Sequence, residues 1–142
     1  MARNELCNIH FTMPKPSSLL IVDDNTDFVT TCGDFLTESG FHVLKACSGS
    51  EAVDLCSGES ASVGLAIVDL NMPDLDGPAT IAALRKKAPR TKVMAMSGAM
   101  LVPYFVRLNE LGVQHFLPKP FYLDELLACV QLAMNCNLRS KS

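Results

Sequence analysis

Short apolar runs alternate with amphipathic stretches along most of the chain. The runs fall at 19–22 (LLIV), 41–46, 65–68 (LAIV), 92–96 and 113–117. Each is about as long as a buried strand and is followed by turn residues. The intervening stretches carry helical spacing. Over 25–39, Phe28, Val29, Cys32, Phe35 and Leu36 share one face. Gly33 lies in the middle of that helix, where glycine costs about 1 kcal/mol relative to alanine, so a close packing contact is expected there. Gly40 is a helix-stop signal. Ser48 and Glu51 form a capping-box pair ahead of a short helix ending near Cys56. Pro78 suits the first turn of a helix over 78–88 that turns Ile81 and Leu84 inward and ends at Pro89. A fourth helix is expected from Pro103 to Leu111, stopped by Gly112, although it is apolar nearly all round. A fifth, over 122–136, carries Leu123, Leu126, Leu127, Val130 and Met134 on one face. Strands alternating with helices predict βαβ units, right-handed crossovers and a parallel sheet covered on both faces, a three-layer α/β/α fold.

The remaining segments fall outside this pattern. Residues 1–17 read as a tail, interrupted by Met13-Pro14-Lys15-Pro16. Residues 58–62 read as a surface loop and 137–142 as a polar tail. The expected organisation is one domain over 18–136, a size that 142 residues fit. With 49% hydrophobic residues the chain has enough apolar surface for a real core. A formal net charge of −3 argues against direct nucleic-acid binding, which needs a basic surface. No apolar run reaches the ~18 residues of a membrane span, and the first residues lack the apolar segment of a signal peptide. These features predict a cytoplasmic protein. The six cysteines form no Cys-x-x-Cys pair, and the three histidines are scattered, so reduced core cysteines are expected rather than zinc or disulfides.

The chemistry gathers at the carboxyl ends of the strands, the edge at which open α/β sheets bind ligands. Asp23 and Asp24 follow the first run, Asp69 the third, Ser97 the fourth and Lys119 the fifth. Three crowded carboxylates repel one another, and a divalent cation relieves that conflict. Magnesium suits a set of carboxylate, carbonyl and water oxygens. Lys119 offers a point charge to a phosphate or to Asp69, and Ser97 offers a hydroxyl to a phosphoryl oxygen. Together these groups can support in-line transfer of a phosphoryl group to the Asp69 carboxylate. Each has a plain alternative: Asp-Asp and Ser-Gly pairs also make turns, and a lysine between prolines also sits in solvent. Their joint occurrence at four strand ends favours the site.

The segments 21–24 (IVDD), 67–77 (IVDLNMPDLDG), 96–98 (MSG) and 116–121 (FLPKPF) resemble the receiver domain of response regulators in two-component signalling. The resemblance spans about 18–135. It implies a flavodoxin-like doubly wound sheet of five strands in the order 2-1-3-4-5 with five helices. It implies Asp69 as the phospho-acceptor and Mg2+ held by Asp24, Asp69 and the backbone carbonyl of Asn71, with Asp23 supporting it directly or through water. Ser97 and Phe116 become switch residues, Lys119 contacts the phosphoryl group, and the Lys119-Pro120 peptide is cis. The implied partners are a sensor histidine kinase or a histidine phosphotransfer protein. A separate output protein or a second copy would meet the face formed by the fourth helix, fifth strand and fifth helix. The chain would not be an enzyme beyond accepting and slowly losing its phosphoryl group. Pro118 before the lysine and Phe rather than Tyr at 116 are small departures.

Three other readings remain. A degenerate receiver would bind partners without phosphorylation, but no acid is missing here. A magnesium-dependent phosphohydrolase of the haloacid-dehalogenase type would want an acidic residue at 71, where this chain has Asn71. A flavodoxin-like cofactor binder would want a phosphate-binding loop where Asp23 and Asp24 stand.

Overall fold

The computed structural model describes residues 18–57, 62–73, 76–98 and 102–140. The elements are β1 (Ser18–Val22), α1 (Thr26–Glu38), β2 (His42–Ala46), α2 (Gly49–Cys56), β3 (Val63–Asp69), α3 (Gly77–Lys87) and β4 (Lys92–Ser97). A 3-10 turn (Val102–Tyr104) then leads into α4 (Phe105–Glu110), followed by β5 (His115–Pro118) and α5 (Leu123–Ser140). The strands form one parallel sheet in the expected order β2-β1-β3-β4-β5.

Strand periodicity divides the apolar residues between two cores. Leu19, Ile21, Leu65, Ile67, Met94 and Met96 face one side and pack with Val29, Leu36, Leu126 and Val130. The intervening Leu20, Val22, Ala66, Val68, Val93 and Ala95 face the other and pack with Ala52, Ile81, Leu84 and Leu108. This is why the strands read as continuous apolar runs rather than alternating ones: both faces are covered. Each fully buried leucine or isoleucine contributes about 2 kcal/mol of transfer free energy. The central strands thereby anchor the residues at their carboxyl ends.

Side chains cap α1, α2 and α3. The Asn25 side chain accepts from the Phe28 amide at 3.1 Å, and the Asp76 carboxylate from the Ala79 amide at 2.8 Å. Ser48 Oγ accepts from the Glu51 amide at 3.1 Å. The Glu51 carboxylate reaches back not to Ser48 but to the Cys47 amide at 2.8 Å, one residue further out than the expected capping box. The turns after α1 and α4 use Gly40 at φ +106° and Gly112 at φ +76°, as their helix-stop positions predict. At Gly33 the expected close contact is the Lys45 side chain, whose Cε would lie 2.5 Å from an added Cβ.

The fourth helical segment departs most from expectation. One turn is 3-10 and only six residues are α-helical. Leu108 is buried, whereas Phe105 is 60% and Val106 68% exposed. Pro103 inside the tight first turn and too little core for an all-apolar segment account for this. Met100 and Leu101 of that segment lie outside the described residues, as do tail 1–17 and most of the 58–62 loop. β5 begins at His115 rather than Val113, and α5 runs on to Ser140. Cys32, Cys47, Cys56 and Cys129 are free thiols, as expected; Cys7 and the Cys136 side chain lie outside the described residues.

Candidate functional site

The sheet register brings the acids together. Val22 of β1 pairs with Val68 of β3, so Asp23 and Asp69 leave their strands side by side. Asp24 follows at the mouth. One carboxylate oxygen from each of Asp23, Asp24 and Asp69 lies within 4.8 Å of the others. Asp23 is 2% and Asp69 5% exposed, whereas Asp24 faces solvent. Two carboxylates at that separation repel by roughly 3 kcal/mol in a medium of effective dielectric 20.

Lys119 offsets part of this repulsion. It arrives from the loop after β5, which is tied to β4 by the Lys119 amide donating to the Ser97 carbonyl at 2.8 Å. The Lys119-Pro120 peptide is cis, as the resemblance implied. The Lys119 ammonium donates to Asp23 at 2.6 Å and stands 3.6 Å from Asp69. It thus pairs with both acids, more closely with Asp23; the sequence had offered it to a phosphate or to Asp69. The other Asp23 oxygen accepts from the Asn25 amide at 3.0 Å, so both oxygens of Asp23 are engaged. Phe28 of α1 lies under the ammonium, 4.3 Å from nitrogen to ring centroid, and meets Phe121 edge to face. In the sequence Phe28 was read as a core-facing helix residue and Phe121 only as the end of the 116–121 segment. The position of Phe28 one turn beyond Asp24 was the available signal.

Burial pushes the Asp69 carboxyl above its usual range, and Asp23 and, less strongly, Asp24 push it further. Lys119 and a hydrogen bond from the Asn71 backbone amide pull it back down. Burial, then Asp23, raises the nearby Cys32 thiol to about 11, which leaves it an inert core thiol. A proton or a cation is therefore favoured at Asp69. This donor set fits a hard divalent ion bound through oxygen.

Ser97 ends β4, is buried, and sits one position past the Asp69–Met96 pair. Phe116 is half-buried on β5 and lines a groove of about 330 Å³ with Leu117, Pro120, Phe121 and Cys129. The structure thus gathers Asp23, Asp24, Asp69 and Lys119 directly. It places Ser97 at the same edge and Phe116 on the adjacent strand. Asn71 lies in the loop beyond Asp69, where its side-chain oxygen accepts from the Tyr104 hydroxyl at 2.7 Å.

The molecule is a doubly wound α/β domain with an acid cluster and a lysine at the carboxyl edge of its sheet. The response regulator receiver domain model matches residues 19–131, and the chain belongs to that family. The transcriptional regulatory protein PrrA of Mycobacterium tuberculosis is 36% identical over 113 residues, covering 80% of this chain and 48% of PrrA. Two solved structures are similar. A CheY-like receiver domain from Methanospirillum hungatei has a TM-score of 0.81 at 21% identity, covering 89% of this chain and 99% of its own. A response regulator from Burkholderia pseudomallei, bearing a phosphorylated aspartic acid, a calcium ion and citrate, has a TM-score of 0.72 at 25% identity, with coverage of 89% and 73%. The chain spans about a quarter to a half of the length of the curated relatives it matches. Receiver domains are regulatory modules of two-component systems, bind magnesium in general, and partner with histidine kinases or phosphotransfer proteins. Among the described residues, no helix is long and apolar enough to cross a membrane.

Proposed function

We propose that Asp69 is the phospho-acceptor of this receiver domain, taking its phosphoryl group from a sensor histidine kinase or a histidine phosphotransfer protein. The observation that carries this reading is the buried Asp69 carboxylate beside Asp23 and Asp24, with the Lys119 ammonium 3.6 Å away. Asp24, Asp69 and the Asn71 backbone carbonyl would hold Mg2+, with Asp23 supporting it directly or through water. When bound there, it would supply positive charge against the clustered carboxylates and the transferring phosphoryl oxygens.

An Asp69 oxygen attacks phosphorus in line with the leaving imidazole nitrogen of the donor. The phosphorus–nitrogen bond breaks, and the imidazole keeps the electron pair. Lys119 shifts from Asp23 towards a new phosphoryl oxygen, steadied by the Phe28 ring. Ser97 turns its hydroxyl onto another phosphoryl oxygen, and Phe116 turns inward behind it. The face formed by α4, β5 and α5 changes shape and meets a separate output protein or a second copy. Loss of the phosphoryl group to water is slow, and no further enzymatic activity is assigned. The domain extends over 18–136 and works in the cytoplasm.

Borohydride trapping tests the assignment. It reduces an acyl phosphate to an alcohol, and peptide mapping then identifies the modified residue. Reduction confined to Asp69 supports the proposal; reduction elsewhere, or none after incubation with a phosphodonor and magnesium, contradicts it.

A further inference from the structure

One contact at the acceptor edge has no part in the mechanism above. The Tyr104 hydroxyl donates to Asn71 Oδ1 at 2.7 Å, joining residues far apart in sequence. Asn71 follows Asp69 by two positions, and its backbone amide hydrogen-bonds to the Asp69 carboxylate. Tyr104 closes the 3-10 turn and stands at the N-cap position of α4, which has no side-chain cap.

Among the described residues, α4 is anchored within the helix and at both ends. Leu108 is its buried residue, while Phe105 and Val106 face solvent. Past its C-terminal end, Arg85 of α3 donates to the carbonyls of Leu111 at 2.8 Å and Gly112 at 3.1 Å. At its N-terminal end, the half-buried Tyr104 ring packs on the core and the hydroxyl fixes the loop beyond Asp69. The ring alone would position the turn. The hydroxyl adds a directional tie to the side chain of Asn71, two residues beyond the acceptor.

We propose that Tyr104 is a positioning residue for the acceptor loop. Its hydroxyl links the geometry of Asn71, and so of the chain leaving Asp69, to the placement of α4 by a path separate from Ser97 and Phe116. Linkage is reciprocal, so a partner that grips Phe105 and Val106 alters the acceptor site by the same factor as occupancy of that site alters α4. One hydrogen bond between neutral groups sets the scale at about two- to tenfold. The signalling consequence rests on the acceptor reading above; the mechanical tie does not.

Two measurements on the full chain separate these layers. The first is amide hydrogen exchange of α4 in the unphosphorylated protein with Tyr104→Phe, Asn71→Ala and the double variant. Each single change is expected to speed exchange about two- to tenfold, and the double no more than either. Unchanged exchange in either single variant, or multiplying effects in the double, overturns the proposal. The second uses Tyr122→Phe, which leaves Tyr104 as the sole emitter because the chain has two tyrosines and no tryptophan. Emission and intact mass are followed during treatment with acetyl phosphate and magnesium. An adduct with changed emission, persisting with Ser97→Ala, supports the separate path. An adduct with unchanged emission overturns the link to phosphorylation, as does a change abolished by Ser97→Ala. Absence of any adduct counts against the acceptor reading, and the exchange result alone then decides the tie.

Discussion

Adding one methyl group at Gly77 is expected to damage both stability and the acceptor. Gly77 opens α3, and its amide donates to the Leu70 carbonyl at 3.1 Å. A Cβ there would overlap the Leu70 Cα and lie 2.7 Å from the Asp69 carbonyl oxygen and 2.9 Å from Leu70 Cδ2. Two of these atoms belong to the backbone that carries Asp69, and Leu70 is fully buried, so nothing nearby can yield cheaply. Overpacking of this kind costs about 1–3 kcal/mol. The smaller conformational freedom of alanine in the unfolded chain offsets about 0.4–1 kcal/mol. Gly77→Ala should therefore lose about 1–2 kcal/mol in urea unfolding, or about 5 °C in melting temperature. Its initial rate of phosphorylation should fall as well, because relief comes by moving the end of β3. Gly33→Ala is the matched control. Its Cβ would crowd only Lys45 Cε at 2.5 Å, the far end of a flexible and partly exposed side chain. That lysine can swing away, and the gain in helix propensity makes the variant neutral or stabilised by up to about 1 kcal/mol. A Gly77→Ala protein within about 0.5 kcal/mol of the parent, or a Gly33→Ala protein less stable than Gly77→Ala, would show that this contact is not overpacked.

Arg85→Ala should cost about 2–3 kcal/mol in denaturant unfolding, since the guanidinium holds the carbonyls of Thr91, Leu111 and Gly112; a loss under about 0.5 kcal/mol contradicts this. Asp69→Asn should stabilise the magnesium-free protein at neutral pH by about 1–3 kcal/mol. The sign follows from the raised folded pKa: that stability contribution is full below the unfolded pKa and lost as pH rises through the folded one. The gap should narrow as pH falls towards about 4, and a gap that widens there would be the wrong sign. Ser97→Ala should keep phosphorylation but weaken the response of α4, so equal chemical-shift changes in α4 of variant and parent would rule out the switch role.

The parallel sheet and the acids at its edge were legible because buried parallel strands leave a strong imprint on sequence. Runs such as 19–22 and 65–68 are apolar on both faces, and each stops abruptly at an aspartate. The order itself leaned on the family resemblance, which periodicity alone could not supply. The α4 region was less legible, since an all-apolar run does not reveal which side is covered. There Pro103 set a 3-10 turn and left Phe105 and Val106 exposed. The closer approach of Lys119 to Asp23 than to Asp69 depends on side-chain reach across β4 and β3 to the end of β1. The Phe28 ring under that lysine and the Tyr104–Asn71 bond are tertiary contacts between segments whose local patterns point only to core or turn.

Intact mass spectrometry shows whether Asp69 is the acceptor. The protein and its Asp69→Asn variant would be incubated with acetyl phosphate, with magnesium and with a chelator. A single acid-labile phosphoryl adduct on the parent, dependent on magnesium and absent from the variant, is the predicted result. An equal adduct on both proteins, or none on a parent shown to bind magnesium, would contradict the account.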